Sequence, residues 1–349
     1  MKNNFKHLYI HIPFCKYICT YCDFVRKIPK SNAEINQYID LLINEINQIK
    51  HKLNSIYIGG GTPNFLNEIQ LKKLLNSLQK NIKKTEFTIE CNPDFINENQ
   101  VTIFKKFHIN RISLGVQTVN ENILKLINRQ HNLKICQNAI DLLYKNKITN
   151  ISIDLIYNLP LLKNNDIKQA INFCASNKIK HVSFYALEIK TNSILSQQKY
   201  NLNLEKESDQ LEYIIQEFQK NNYQRYEISN WVTNKKYVSQ HNLAYWKMKQ
   251  WKGIGFGSYG FENNNHYCIE GNYLNWKIKN NFLTKQEYYF YILMMGLRLT
   301  DGIDLNIQKN NKAFTYYKNK LNFSLLKIEN NKLKAKNIDL LHDILVDIV

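Results

Sequence analysis

Three cysteines fall within eight residues, Cys15, Cys19 and Cys22, in the stretch HIPFCKYICTYCDF (11–24). A structural zinc site takes four ligands, and disulfides use thiols in pairs, so three thiolates suit neither as they stand. Closely set thiolates favour zinc or iron–sulfur clusters. A [4Fe–4S] cube held at three corners leaves its fourth iron without a protein ligand. That corner can chelate a small molecule bearing an amine and a carboxylate, as S-adenosylmethionine (SAM) does. An electron passed from the reduced cluster to the sulfonium would release a 5′-deoxyadenosyl radical. Two other readings stay open on these residues alone: loop cysteines with no metal, and a zinc site completed by a distant histidine.

Such a loop needs a scaffold. Short apolar, β-branched runs at 8–12, 55–60, 86–91, 111–116, 151–157 and 181–187 predict strands. Amphipathic helices are expected at about 32–50, 67–81, 97–107, 120–128, 133–146, 165–177 and 204–221. This alternation predicts an α/β fold built of βαβ units, a partial (βα)6 barrel with functional residues at the C-terminal ends of its strands. Beyond about residue 225 the pattern turns aromatic- and glycine-rich, in YQRYEISNW, HNLAYW and GIGFGSYGF, and a helix is expected near 285–298. The division expected is a core domain over 1–225 and a smaller α+β domain over 226–349, whose stretch after Asp304 is lean in recognisable features.

The chain has 349 residues, with 47 Lys and Arg against 29 Asp and Glu, a formal charge of +18. Such a balance invites a nucleic-acid partner. Here the charge is mostly lysine scattered through an Asn- and Ile-rich chain, so no nucleic-acid partner is expected. The seven cysteines form no disulfide framework, and no run reaches the ~18 apolar residues of a membrane span. A soluble, cytoplasmic protein is expected.

The cysteine stretch and several later motifs, in the same order, resemble the radical-SAM superfamily. They look like the group that holds the oxygen-independent coproporphyrinogen III oxidases and the HemW haem chaperones. The resemblance covers most of the chain. It implies that Cys15, Cys19 and Cys22 hold the [4Fe–4S] cluster. It also implies that Gly60, Gly61 and Thr62 of GGGTPN (59–64) meet the amino end of SAM, and that Glu90 of ECNP hydrogen-bonds its methionine or ribose part. Further SAM-site residues follow from the same likeness: Gln117 after RISLGV, Arg129 of INRQH, Asp154 of IDLIYNLP, and Tyr9 two residues before His11. Asn158 stands where the family usually has glycine, and asparagine can adopt a positive φ there. Cys91 reads as a buried small hydrophobe. GFGSYG (255–260) satisfies G-x-G-x-x-G without a βαβ opening or an acidic residue at the right distance, so no dinucleotide site is expected.

Two features separate oxidase from chaperone. The oxidases carry a fourth cysteine two residues after the third, and a longer N-terminal extension; here that position is Phe24, and 14 residues precede the cluster. HNLAYW (241–246) matches the H-N-x-x-Y-W motif of the HemW proteins, so His241 is expected to ligate haem iron, with Tyr245 and Trp246 stacking on the porphyrin; the other reading is a satisfied structural histidine beside two core aromatics. Lys247, Lys249 and Lys252 stand near enough in sequence to pair with its propionates. The resemblance therefore implies three cofactors, a [4Fe–4S] cluster, SAM and haem. It further implies delivery of haem to apo-haemoproteins of the respiratory chain or of haem storage, and an electron donor for the cluster. It leaves room for a homodimer and for contact with a membrane surface. The alternative enzyme reading is oxygen-independent coproporphyrinogen III oxidation; a radical-SAM nucleic-acid modifier is the alternative from another class.

Overall fold

The structure is a computed structural model in which residues 5–346 and 348 are described. Six strands in chain order form its centre: β1 (His7–Ile12), β2 (Leu53–Gly60), β3 (Ile82–Cys91), β4 (Arg111–Gln117), β5 (Ile151–Tyr157) and β6 (His181–Ala186). Each pairs in parallel with the next, and a helix crosses over between successive strands. The predicted (βα)6 arrangement is present, with most element ends within a few residues of expectation. β3 begins four residues earlier than the apolar run suggested, because the polar stretch IKKT extends it.

The sheet does not stop at six strands. β7 (Gln224–Glu227) and β8 (Asn230–Val232) form a hairpin whose second strand pairs antiparallel with β6. On the opposite edge β9 (Trp251–Ile254) lies parallel to β1. β10 (Tyr259–Glu262), β11 (Asn265–Asn272) and β12 (Asn275–Phe282) continue outward as antiparallel neighbours, giving twelve strands in all. The sheet therefore crosses the division expected near residue 225. GFGSYG supplies the tight connection between β9 and β10, with Gly255 and Gly257 both at φ near +87° or +88°; no helix opens after it. A separate three-stranded sheet of β13 (Ile303–Asp304), β14 (Leu326–Glu329) and β15 (Lys332–Ala335) packs with C-terminal helices on a second apolar cluster reaching from Met248 to Ile348. Among the described residues no helix is long and apolar enough to cross a membrane.

Asparagine, abundant throughout, does specific work here. Asn67, Asn97, Asn120, Asn132 and Asn203 cap helix N-termini by accepting from backbone N–H groups one turn ahead. Asn128, Asn158, Asn222 and Asn264 occupy left-handed positions at φ of 57–60°, where asparagine is better tolerated than most residues. What looks like composition is thus in part punctuation.

The close approach of β9 to β10 depends on Gly253, where an added Cβ would lie 2.0 Å from the Tyr259 carbonyl oxygen. Gly253→Ala should destabilise the fold by about 1–3 kcal/mol or more, read as a lower urea midpoint. An unchanged midpoint would show that the β9–β10 approach is softer than this packing implies.

Candidate functional site

At the C-terminal ends of the parallel strands lies a cavity of about 370 Å³. The loop after β1 carries the three cysteines and is pinned from several sides. Cys15 N–H donates to the Lys27 carbonyl at 3.0 Å, Thr20 N–H to Ile127 at 3.2 Å, and the Asn128 side chain to the Ile18 carbonyl at 2.7 Å. Cys15, Cys19 and Cys22 all border the cavity. Burial pushes the Cys22 thiol up to about 12 and raises Cys15 as well, so without a metal both stay protonated and cluster binding must release protons.

The three sulfurs suit a cubane better than a single ion. No three His, Cys, Asp or Glu side chains among the described residues converge to hold one metal ion. In a cubane each of the three cysteines holds a different iron, so no such convergence is called for. Donors face the sulfurs too: Thr62 Oγ1 lies 3.5 Å from Cys15 Sγ, and Arg129 Nη1 lies 3.7 Å from Cys19 Sγ. A Cβ on Gly61 would come within 2.9 Å of Cys15 Sγ, so only glycine lets the loop after β2 lie this close. Gly60 sits at φ +113°, and a Cβ there would strike the His11 ring at 2.7 Å.

Of the other residues singled out by resemblance, Glu90, Gln117, Arg129 and Asp154 reach the same cavity. Glu90 accepts from Tyr57 Oη at 2.8 Å and from Gly60 N–H at 3.0 Å. Burial outweighs those donors, and with the nearby Asp154 charge it raises the Glu90 carboxyl to about 7. Asp154 accepts from Ser113 Oγ at 2.8 Å. Burial raises its carboxyl too, opposed by the serine hydroxyls and the Arg111 guanidinium. Gln117 stands after an irregularity in β4 at φ +67°, which turns its amide back to within 3.0 Å of the Cβ position of Gly115. Arg129 is buried, donating to the Gly115 carbonyl at 2.6 Å and to Asn92 Oδ1 at 2.9 Å. Cys91 belongs to the apolar core, its thiol raised by burial, though it also touches the cavity. Cys136 and Cys174 are buried elsewhere, and Cys268 is on β11.

Two expectations meet a different geometry. Tyr9 is not on the cavity wall: its hydroxyl is drawn to His11 Nδ1 at 3.0 Å, and its ring stacks on Tyr57, which stands at the wall instead. His241 is 1% exposed, with both ring nitrogens engaged, Nδ1 with Ser55 Oγ at 2.7 Å and Nε2 with Tyr245 Oη at 2.7 Å. An axial bond from His241 to haem iron is therefore not available in this structure. The reason is local: the helix Gln240–Trp246 packs against β2, with its first N–H groups on the Glu86 carboxylate and its histidine face turned inward. The likeness had not brought forward Tyr57, Ser113, Asn92 and Tyr185, all on the cavity. Strand periodicity held the signal for the first two, since Tyr57 shares a face with Gly59, and Ser113 pairs in register with Glu90.

Comparison with known proteins fits this geometry. Residues 9–174 match the model of the Radical SAM superfamily. A protein of Lactococcus lactis described as "Heme chaperone HemW" is 34% identical over 84% of this chain and 82% of its own length. The chain belongs to the HemW family of radical-SAM proteins. The Bacillus subtilis HemW protein is 32% identical over 85% of this chain and 84% of its own length. In fold, the chain is similar to coproporphyrinogen III oxidase (HemN) of Escherichia coli, with a TM-score of 0.82 at 18% identity, covering 99% of this chain and 90% of that one. Membership of the superfamily implies a [4Fe–4S] cluster and SAM, and the HemW chain offers its three cavity-lining cysteines as the donor set for such a cluster.

After anaerobic reconstitution the chain should hold about four iron atoms, and Cys15→Ala, Cys19→Ala and Cys22→Ala should each abolish the cluster. Cys136→Ala, Cys174→Ala and Cys268→Ala should keep it. Iron content measured alongside the visible absorption decides, and a full cluster in Cys19→Ala would overturn the assignment.

Proposed function

We propose that this chain is a radical-SAM haem chaperone, which binds haem and passes it to apo-haemoproteins in the cytoplasm. The observation that carries the reading is sequence likeness, at 34% over most of both chains, to a protein described as a haem chaperone. Phe24 supports it, lying at the cavity where the oxidases carry their further cysteine. The seven free cysteines fit a reducing compartment.

When bound, the cluster and SAM supply one-electron chemistry at the cavity. The protein's own part is to hold and orient. Gly60, Gly61 and Thr62 let the ligand approach backbone, and Glu90 and Asp154 offer negative charge to an ammonium or sulfonium. Gln117 and Arg129 supply donors to the same cavity. Tyr57 takes the position at the wall expected of Tyr9.

Glu90 makes SAM binding pH-dependent in a definite sense. Its carboxyl is raised to about 7, so it is largely neutral below that pH and ionised above it. A cationic ligand prefers the ionised form, so SAM affinity should rise as pH increases through about 7. Glu90→Gln should weaken SAM binding about ten- to hundredfold at pH 8, as expected for loss of a charged hydrogen bond, and should flatten the pH profile. Calorimetric titration of reconstituted protein across pH 6–8.5 checks this, and an unchanged profile in Glu90→Gln would assign the titration elsewhere.

The chaperone reading is tested by pairing two assays. Hemin should bind saturably near one per chain, and coproporphyrinogen III should not be decarboxylated with SAM and reductant. His241→Ala should leave the axial-ligand spectrum of bound hemin unchanged, because the ring is already occupied. Robust decarboxylation would replace the chaperone with the oxidase, and a lost axial nitrogen in His241→Ala would show that the helix opens to offer its histidine.

A further inference from the structure

A second cavity, of about 420 Å³, opens at the opposite end of the barrel from the cysteines, beside the N-terminal ends of β1 and β2. Lys6, His7, Lys249 and Lys309 line it together with Phe261 and Tyr288, and none of its lining residues is acidic. Among the described residues, none of the three lysines is paired with a carboxylate. In a chain of scattered charge, this is a place where cations converge without counter-charge. Lys309 is held by the carbonyls of Lys247 and Met248 at 2.8 and 2.6 Å. Burial, with Lys249 nearby, lowers its ammonium to about 8.

His7 adds an independent sign of a ligand. It is 3% exposed; Nδ1 is held by Ser55 Oγ at 2.8 Å, and its buried Nε2 has no partner. A buried polar atom left unpaired in a native fold calls for an explanation. The Ser55 hydroxyl lies between His7 Nδ1 and His241 Nδ1 and has one proton to give. If it donates to His7, then His7 carries its proton on Nε2 and becomes a donor toward the cavity. His241 Nδ1 then donates to Ser55, and His241 Nε2 accepts from Tyr245.

We propose that the cavity formed by Lys6, His7, Lys249 and Lys309 is a binding site for oxyanions, carboxylate or phosphate. Three ammonium groups and one imidazole N–H supply donors of one sign, as charge-assisted recognition of an oxyanion requires. Within the haem-chaperone reading, on which this arm alone rests, the anions are porphyrin propionates, with Phe261 and Tyr288 beside them. Lys249 then keeps the role expected from sequence, while Lys252 lies over the Phe5 ring instead. His241 becomes a positioning residue that sets the tautomer of His7.

The test follows the His7 ring by nitrogen-15 NMR while inorganic phosphate, hemin or hemin dimethyl ester is titrated into the reconstituted full chain. Phosphate should shift the His7 Nε2 resonance saturably. The doubly substituted Lys6→Gln, Lys249→Gln protein, altered only at exposed side chains, should bind phosphate about tenfold or more weakly, with iron content unchanged. If propionates are the natural anion, hemin gives the same shift, its dimethyl ester does not, and phosphate competes. If free phosphate is, hemin leaves His7 unmoved while phosphate still binds, and the oxyanion site stands. Hemin that binds nowhere, with phosphate bound here, would sink the haem reading alone. A His7 resonance that neither anion moves, or phosphate affinity indifferent to both lysines, would overturn the site.

Discussion

Two carboxylates inside a barrel set the terms for everything around them. Glu90 and Asp154 project from β3 and β5 into a partly buried cavity, where an ionised carboxylate costs free energy unless it is paired. The interior is arranged to meet that cost. Tyr57 and the Gly60 N–H donate to Glu90, and Ser113 donates to Asp154. The guanidinium of Arg111 lies near enough to favour the charged form of Asp154. Gly59 must lack a side chain, since a Cβ would stand 2.8 Å from the Glu90 carboxyl. Even so the balance is incomplete, because Glu90 stays raised to about 7. Gly59, Tyr57 and Ser113 thus all answer to these two carboxylates.

The parts of this design that were legible in the sequence share a physical cause. The six parallel strands are buried on both faces, so each reads as a compact apolar run bounded by turns. The site residues stand on those runs or at their ends, so locating the strands locates Gly60, Glu90, Gln117 and Asp154. β9 was not legible, because WKGI is four residues with a lysine and a glycine and draws its place from pairing with β1, more than two hundred residues earlier. The polar hairpin of β11 and β12 hid for a related reason: β12 is exposed along nearly all its length, so no apolar alternation marks it.

His241 shows where motif reading runs out. HNLAYW states which residue types are present, but not which way a seven-residue helix turns. Imidazole and phenol side by side suggest a haem ligand and a stacking partner when pictured on a surface. Buried against β2, the same pair satisfy one another, and the histidine ring stacks on Tyr57 at 5.1 Å. Burial is a tertiary property, and no local pattern in those six residues carries it. Charge behaves likewise: +18 spread along the chain pointed to no site, yet folding collects lysines from positions 6, 249 and 309 around one cavity.

Taken together, these contacts make the HNLAYW helix a strut between the two ends of the barrel. From the basic cavity, His7 reaches Ser55, Ser55 reaches His241, and the His241 ring lies against Tyr57, whose hydroxyl holds Glu90. Glu90 in turn holds the Gly60 N–H beside the cysteine loop. The links are hydrogen bonds and one ring stack, and at the buried Ser55 contacts a polar atom left unpaired costs about 1–3 kcal/mol. Ser55 has a single proton to place, so the tautomers of His7 and His241 are set together. An anion that fixes the proton on His7 Nε2 also fixes which nitrogen of His241 carries the proton, leaving Nε2 to accept from Tyr245 Oη. Through His241, the helix thus joins a run of contacts that leads from one cavity toward the other.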